Sequence, residues 1–513
     1  MAGDVDGQSV AMDTDPDSGS SASGEHGGGA RKGSLESDQP RFSFSDRHIA
    51  AILGVISTAV FAFAARLRYR SGYIAGDEPH YLIFNVALEK YGSLDIMPVY
   101  QNRDYWSFYP GVIEPHISPG PDGQPLPLHG FGGPLLWHLP YLVFGKGGAM
   151  AFMVAVSVLI VVNIFFFLRE LGIVRVYAGL VALLFAIGSP VYIYAPMLFI
   201  EPIGALAVLY AMRVLCRPAL SNVRLAVASV GLGIIPWVHG RFIVFSVLIG
   251  AMLLWRLYRE RGLASFRPYL LCLTPLAVLV GGLEIYNLVV WHSLNPAPAN
   301  ANVGNGVFQI PLHEGFLGTM LDRRFGLLPN FPIFALVLPG ILLTLRRGLM
   351  QLHAVMAIVI VPYLLAICTF SAWWSGYAPP ARYIAAVVPL FAYYVAVTLQ
   401  RLHHWLAATL AALAGLGSYA LAVVGDVVPR LRFHPDPEAN FLMVEMGRLI
   451  RWQFQQYLPN AFVSGQRWSF ALWALAVVGF GVVVYMLGRL RPAAHTPDWR
   501  VRLLGRQTGS GGD

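Results

Sequence analysis

The stretch Ala75-Gly76-Asp77-Glu78-Pro79-His80-Tyr81 follows closely on an apolar segment at about 48–67. A helix needs about 20 mostly apolar residues to cross a bilayer, and this segment supplies them. Two acidic side chains beside such a helix are costly unless a partner or a function uses them. The stretch therefore indicates where the chain leaves the membrane and where a functional centre is expected.

The composition is that of a polytopic membrane protein. The 513 residues are 56% hydrophobic and 12% charged, whereas soluble domains carry about 25% charged residues. Apolar runs of helix length recur along the chain and predict an all-α bundle of about 12 transmembrane helices. These segments lie at about 48–67, 150–168, 174–190, 196–216, 223–238, 241–258, 268–290, 330–345, 353–370, 381–399, 404–424 and 468–488.

The chain divides into a central membrane domain and two polar tails. Residues 1–47 are rich in Gly, Ser and Asp and predict a disordered tail, because they cannot form a core. The transmembrane domain is predicted at 48–490, with a basic tail at 491–513. The loops 68–149, 291–329 and 425–467 are the largest, and we expect interfacial helices in the first. Its apolar part at 126–145 is interrupted by prolines and predicts a partly embedded helix.

The distribution of Lys and Arg predicts the orientation. With the N-terminus inside, 21 of the 36 basic residues fall on the inner side, mostly in short loops. This agrees with the positive-inside rule. Both termini are then cytoplasmic and the three large loops lie outside. Basic residues that remain on the outer side need another explanation.

The acidic pair has two interpretations. Asp77 and Glu78 could act as an acid/base pair, one accepting a proton from a hydroxyl while the other orients a donor or a cation. His80 and Tyr81 lie within reach of the same site. Alternatively, the two acids cap the helix that follows, for which Pro79 in the first turn is well suited.

A second acidic residue, Glu201, falls inside an apolar run near the outer end of a helix. An acid at that depth is by default a functional candidate, although a structural ion pair with Arg241 is the alternative. Arg241 lies between two helices, close to His239. These residues predict a polar centre near the outer surface.

Further arginines lie at outer helix ends, namely Arg323, Arg324 and Arg382, the last followed by Tyr383. Guanidinium groups suit a phosphate, and aromatic faces suit a sugar ring or an isoprenoid tail. The alternative is that these side chains extend to the membrane interface. We favour a substrate-binding role for Arg382.

Motifs that would indicate several other functions are absent from the sequence. The sequence shows no P-loop, no dinucleotide-binding glycine fingerprint and no GxSxG, and nothing suggests a nucleic-acid partner. The three cysteines are far apart and indicate neither a disulfide framework nor a thiolate metal site. The sequence specifies no cofactor and leaves metal dependence open; a divalent cation, Mg²⁺ or Mn²⁺, could be held by Asp77 and Glu201.

The motifs, taken in order, resemble the GT-C superfamily of polyprenyl-phosphate-sugar glycosyltransferases. They are Gly76-Asp77-Glu78-Pro79-His80-Tyr81, then Glu201, and then the late segments 321–332 and 373–383. The resemblance is to the bacterial family-39-like, protein-mannosyltransferase-like group and covers 48 to about 400. In that group a glycine-rich turn often precedes the arginine, where this chain has Pro379-Pro380-Ala381.

The resemblance implies a GT-C-like fold and an inverting hexosyl or pentosyl transfer. The donor would be a polyprenyl-phosphate-linked sugar, and the acceptor an envelope glycan, lipid or protein at the outer face of the bacterial plasma membrane. Asp77 would deprotonate or orient the acceptor, and the outer arginines would hold the phosphate leaving group. Two other classes stay open: a transporter or flippase of lipid-linked saccharides, and a non-catalytic protein of envelope assembly.

Overall fold

The structure is a computed structural model that describes residues 45–490, except 218, 264, 346–348, 434 and 435. Of the two predicted tails, only residues 45–47 fall in that range. The predicted disordered N-terminal tail and basic C-terminal tail therefore lie outside the described residues.

Helices dominate the part of the chain that the structure describes. Its α-helices are α1 (Asp46–Ser71), α2 (Glu78–Tyr91), α3 (Met97–Gln101), α4 (Gly132–Glu170), α5 (Arg175–Gly188), α6 (Pro190–Tyr194), α7 (Glu201–Cys216), α8 (Asn222–Val238), α9 (Ile243–Arg261), α10 (Arg267–Trp291), α11 (Pro298–Asn302), α12 (Leu312–Leu321), α13 (Leu327–Asn330), α14 (Val337–Thr344), α15 (Met350–Cys368), α16 (Val388–Arg401), α17 (His404–Val427), α18 (Phe441–Leu449) and α19 (Arg467–Arg489). Short 3₁₀ turns connect some of them, at Asp104–Ser107, Gly240–Phe242, Pro332–Leu336, Tyr383–Ala386, Pro429–Leu431 and Phe454–Tyr457.

One small β-hairpin interrupts the helices. Strands β1 (Ile117–Pro119) and β2 (Pro125–Pro127) pair antiparallel, with Ile117 opposite Pro127 and Ser118 opposite Leu126. The Ser118 hydroxyl donates to the Ala299 carbonyl at 2.9 Å. This bond fastens the hairpin to α11.

The predicted all-α polytopic class is confirmed. All twelve predicted segments contain a helix, and seven helices in the described residues are long and apolar enough to cross a membrane. The other five helices, α5, α7, α8, α14 and α16, have fewer than 18 residues, and all but α8 are shorter than the segments predicted for them. Several of these helices begin later in the chain than predicted, and proline explains why. It occupies the first turn of α7 and of α16, and it begins the 3₁₀ turn Pro332–Leu336 that precedes α14.

The predicted partly embedded helix forms the first limb of α4. Gly145 (φ 57°, ψ −144°) breaks this 39-residue helix and separates the limb at 132–144 from the long apolar helix behind it. Thirteen residues extend about 20 Å, less than the hydrocarbon thickness of about 30 Å. Leu139 and Phe144 are exposed on this limb, whereas Trp137 is fully buried. A helix with one packed and one exposed apolar face suits partial embedding.

Helix α2 is held against this limb by a buried amide. The Asn85 side chain donates to the Pro134 carbonyl at 3.0 Å, and the Trp137 indole donates to Asn85 Oδ1 at 2.9 Å. Every residue of α2 from Glu78 to Ala87 is buried. The start of α2, and with it Asp77, is therefore fixed relative to α4.

We expect Gly76→Ala to destabilise the protein more than Gly72→Ala. Both glycines have positive φ, +62° and +67°, but a Cβ on Gly76 would lie 2.2 Å from the Tyr377 carbonyl oxygen, whereas one on Gly72 meets nothing within 4 Å. Gly72→Ala should lower the free energy of unfolding only by the cost of a positive φ at a residue with a Cβ, about 1–2 kcal/mol. Thermal unfolding of the purified variants in detergent measures the difference; equal losses would show that the close approach at Gly76 is relaxed at no cost.

Candidate active site

Asp77 does not cap the helix that it precedes. It occupies the position before α2, yet its side chain makes no capping hydrogen bond there. Its Oδ2 instead accepts a hydrogen bond from Arg382 Nη2, across 305 positions of sequence. A charge-assisted bond of this kind is stronger than one between neutral groups. The capping explanation therefore does not account for Asp77.

Glu201 joins two arginines at the centre of the cluster. It is the first residue of α7 and fully buried, and its Oε1 accepts from Arg382 Nε at 2.9 Å and from Arg241 Nη2. Four predicted site residues from distant parts of the chain therefore meet in one place. We call Asp77, Glu201, Arg241 and Arg382 the ion-pair cluster; its formal charges cancel.

Local backbone strain positions Arg382. Ser375 and Ala381 both have positive φ (67° and 56°), which is uncommon for residues with a Cβ. The Ala381 N–H donates to the Phe325 carbonyl at 2.9 Å, and Arg382 Nη1 donates to the Ser375 carbonyl at 3.2 Å. The folded structure thus supports a conformation that costs energy, a feature that often accompanies functional sites.

Tyr383 lies beneath both guanidinium groups. The guanidinium carbon of Arg241 is 4.4 Å from the centre of the Tyr383 ring, and that of Arg382 is 5.5 Å from it. The Tyr363 hydroxyl donates to the Tyr383 carbonyl at 2.8 Å. The aromatic face therefore orients the two cations by cation–π attraction.

Glu78 is directed away from the ion-pair cluster. Its carboxylate pairs with the buried Arg68, accepts from the Leu198 N–H at 3.0 Å and accepts from the Ala75 N–H at 3.3 Å. The expectation that Asp77 and Glu78 form one acid/base centre is corrected by this geometry. Glu78 instead ties α1 and α2 to the segment that leads into Glu201.

The hairpin contributes two histidines that the sequence analysis did not single out. His116 and His129 flank β1 and β2, and their Nδ1 and Nε2 atoms lie 2.9 Å apart. His129 Nδ1 is 3.9 Å from Asp77 Oδ2. The antiparallel pairing is what brings residues 116 and 129 together, and only the spacing of the prolines and glycines between them could have suggested a hairpin.

His80 and Tyr81 pack against these histidines. The His80 ring stacks on His116, with ring centres 3.5 Å apart, and its Nδ1 is 2.6 Å from the Tyr100 hydroxyl. The buried Tyr81 ring lies 5.2 Å from the ring of His129. Both predicted residues therefore adjoin Asp77 through the histidines.

Two cavities meet at this group. The larger, here the Asp77 cavity, is an open space of about 670 Å³ whose walls include Asp77, His80 and His116 together with Tyr73 and Tyr377. The other, here the aromatic cavity, measures about 70 Å³ and is lined by His129 and His239 together with Phe131, Trp237, Tyr286 and Trp291. His239 accepts the Arg241 N–H through its Nδ1 at 3.2 Å. The predicted His239 thus links the ion-pair cluster to the aromatic cavity.

The electrostatic environment keeps Asp77 charged and the histidines neutral. Burial raises the pKa of Asp77, but the charge of Arg382, with a smaller effect from His129, outweighs it and holds the pKa well below its usual range. Burial lowers the pKa of His129 to about 4 and also lowers the pKa of His116. Asp77 is therefore an anion at neutral pH beside uncharged imidazoles.

Arg323 and Arg324 lie outside the ion-pair cluster. Arg323 Nε donates to the Glu438 carbonyl oxygen at 2.9 Å, and Arg324 donates to the Asp436 carbonyl oxygen. The carboxylates of Asp77 and Glu201 pair with Arg241, Arg382 and His129 instead. The backbone of the loop at 436–438 therefore holds both guanidinium groups. A substrate-binding role for these two arginines stays a prediction.

Three side chains at this place could hold a metal ion. Asp77, His116 and His129 each offer one ligand atom, and these atoms lie within 4.8 Å of one another. Glu201, the other suggested ligand, is not part of that group, because its Oε1 is engaged by two arginines. A cation held by Asp77 and Glu201 stays a prediction, since Glu201 Oε2 has no hydrogen-bond partner within the described residues.

We expect Glu201→Gln to destabilise the protein strongly. Removal of one partner from a buried ion pair costs about 3–5 kcal/mol, because the remaining charge is left uncompensated. Arg241 and Arg382 would both lose the charge of Glu201. Thermal unfolding of the purified protein measures the effect, with Glu314→Gln as control because that side chain is 55% exposed. A loss no larger than that of the control would contradict the structural importance of the cluster.

Comparison with known proteins gives two structural similarities. No protein-family profile and no curated protein sequence matches the chain. The chain is similar to the apo crystal structure of ArnT from Cupriavidus metallidurans, with 15% identity over 86% of this chain and 76% of that one, and a TM-score of 0.43. It is also similar to the archaeal oligosaccharyltransferase AglB from Archaeoglobus fulgidus, in complex with an inhibitory peptide and a dolichol-phosphate, with 13% identity over 75% of this chain and 56% of that one, and a TM-score of 0.46. Both are members of the GT-C superfamily, which the sequence motifs resemble.

Proposed function

We propose that the protein transfers a monosaccharide from a polyprenyl-phosphate donor to an acceptor of the cell envelope. The observation that carries this proposal is the ion-pair cluster beside the Asp77 cavity. A buried carboxylate at the wall of an open cavity, with guanidinium groups behind it, suits a reaction in which a hydroxyl attacks and a phosphate departs. The resemblance of the sequence motifs to GT-C glycosyltransferases supports the same reaction.

In the proposed reaction, the acceptor oxygen forms a bond to the anomeric carbon while the bond from that carbon to the phosphate oxygen breaks. The electron pair of the broken bond stays with the polyprenyl phosphate. Asp77 accepts the hydrogen bond of the acceptor hydroxyl and takes its proton. Because the pKa of Asp77 is held low, it is a weak base, so orientation is its first task and the proton moves late, when the new bond has made the oxygen acidic.

One arginine donor, Arg241 Nε, is available to stabilise the leaving phosphate. Arg241 Nε and Glu201 Oε2 are buried and make no hydrogen bond within the described residues. Buried polar groups without a partner are uncommon and call for an explanation. The proposal supplies one, since the cluster keeps bonding capacity for a substrate group. Guanidinium groups that are already fixed by carboxylates need little reorganisation when negative charge develops.

Aromatic side chains provide surfaces for the sugar and the lipid. Tyr73, Tyr109 and Tyr377 stand in the wall of the Asp77 cavity, and four further aromatic residues line the aromatic cavity. Aromatic rings present large, rigid apolar faces with a polar edge, which suit the flat face of a sugar ring. In the proposed complex, the sugar ring packs against one of these aromatic surfaces and the polyprenyl chain extends into the surrounding bilayer.

We expect Asp77→Asn to lose nearly all transfer activity. The amide is nearly the same size as the carboxylate but cannot take the acceptor proton, and removal of such a group typically costs about 10²–10⁴-fold in rate. Purified protein would be incubated with radiolabelled polyprenyl-phosphate mannose, arabinose or glucose, and release of polyprenyl phosphate would be measured.

The matched control is Asp122→Asn, which changes an exposed aspartate in the turn between β1 and β2. It should keep wild-type activity. A thermal unfolding midpoint near that of wild type would show that Asp77→Asn is folded. Transfer by folded Asp77→Asn at the wild-type rate would reject the role of Asp77, and the absence of turnover with every donor would leave the transporter as the better hypothesis.

The proposed orientation predicts opposite labelling of two engineered cysteines. Asp122→Cys should react with a membrane-impermeant maleimide in intact cells, because the hairpin faces outward, and Leu263→Cys after α9 only in permeabilised cells. The three native cysteines are buried and should give little background. Labelling of Leu263→Cys in intact cells, with Asp122→Cys protected, would reverse the proposed orientation.

A further inference from the structure

We propose that Asp77, His116 and His129 form a binding site for one divalent transition-metal cation of the zinc type. The three residues come from the turn before α2 and from the two ends of the β-hairpin. No comparison or sequence motif assigns a metal to them. The site itself is argued from geometry, and only its role in catalysis rests on the proposed function.

The ligand atoms are already close to the required arrangement. The three ligand atoms lie within 4.8 Å of one another. In a tetrahedral site with metal–ligand distances of about 2.0–2.2 Å, neighbouring ligand atoms are about 3.3 Å apart. His116 Nδ1 and His129 Nε2 are 2.9 Å apart. Small rotations of the side chains would therefore direct all three toward one ion.

The carboxylate retains an oxygen for the cation. Arg382 donates to Asp77 Oδ2, whereas Asp77 Oδ1 makes no hydrogen bond among the described residues. Asp77 and His116 also line the open Asp77 cavity. An ion could therefore enter from the cavity and bind one lone pair of Oδ1 while the Arg382 pair stays intact and the other lone pair of Oδ1 faces the acceptor hydroxyl.

Neighbouring groups hold His116 in place, as outer partners of metal-binding histidines usually do. The His80 ring stacks on the His116 ring with an angle of 12° between the planes. The Tyr100 hydroxyl in turn lies 2.6 Å from His80 Nδ1. The His116 ring is thus packed on one face against a histidine that is itself held in place.

The donor set indicates the class of metal. Two imidazoles and one carboxylate suit zinc and its neighbours in the transition series, whereas Mg²⁺ and Ca²⁺ prefer oxygen ligands. Catalytic zinc sites typically have three protein ligands and a fourth coordination position that is open to a cavity. This departs from the Mg²⁺ or Mn²⁺ considered from the sequence alone.

The charge balance gives the cation a purpose within the proposed function. Two carboxylates and two guanidinium groups of the ion-pair cluster cancel, and His116 and His129 add no charge when neutral. A bound dication would leave the centre with a net positive charge beside the cavity. A phosphate-bearing donor would be attracted by that charge.

The test is metal binding by the full chain, without any sugar donor. Protein purified in detergent would be stripped with a chelator, and then titrated with Zn²⁺ for metal content and with Co²⁺ for visible absorption of the bound ion. We expect about one ion per chain and at least a 10-fold loss of affinity in His116→Ala and in His129→Ala. His129→Asp, which keeps a ligand at that place, should bind more tightly than His129→Ala. His313→Ala, in an exposed position, is the matched control.

The outcomes separate the metal site from the proposed transfer. Less than one ion per chain in wild type, or equal affinity in His129→Ala and His129→Asp, would overturn the metal site. An equal loss in His313→Ala would do the same. A protein that binds one ion at these residues but transfers no sugar would confirm the site and reject the proposed function. Thermal unfolding midpoints near wild type would show that the variants are folded.

Discussion

The bridge from Arg382 to both Asp77 and Glu201 is the interaction on which the rest of the structure depends. Glu201 is fully buried and Arg382 nearly so, and isolated charges at such depth would cost several kcal/mol each. The bridge pairs both carboxylates with one guanidinium group, and Arg241 compensates the remaining charge. Because the four residues come from the starts of α2 and α7 and from two short connections, the bridge fixes these elements relative to one another. The same contacts that make the fold possible also create a rigid, pre-organised polar centre.

Asp77 and Glu78 show how one short motif serves two purposes. Successive residues at the start of a helix point about 100° apart, so neighbouring carboxylates cannot easily serve one site. Asp77 therefore faces the cavity, whereas Glu78 faces the protein interior and binds Arg68 and the Leu198 N–H. Since that N–H lies three residues before Glu201, Glu78 helps to place Glu201. One acid lines the cavity and the other positions the cluster.

The sequence predicts the helices better than it predicts the site. Apolar runs identify every long helix, because burial in lipid requires continuous apolar surface. Depth in an apolar run likewise singles out Glu201, and position at a helix end singles out Arg382. His116 and His129 were missed because no motif marks them. A hairpin of two three-residue strands brings them to Asp77. The bond from Arg324 to the Asp436 carbonyl was equally beyond sequence reasoning, because the two residues are 112 positions apart.

A site built in this way has limited freedom to change. A substitution in the ion-pair cluster alters at least two partners, so loss of stability and loss of function are expected together at Glu201. His116 and His129 differ, because within the described residues the ion pair that joins them to the cluster runs from His129 to Asp77, and they flank a hairpin that is fastened by Ser118. The hairpin is the part of the site that can vary without disturbing the buried charges. Under the two proposals, differences in metal preference or acceptor among similar chains should therefore arise in the hairpin, while the arginine bridge stays the same.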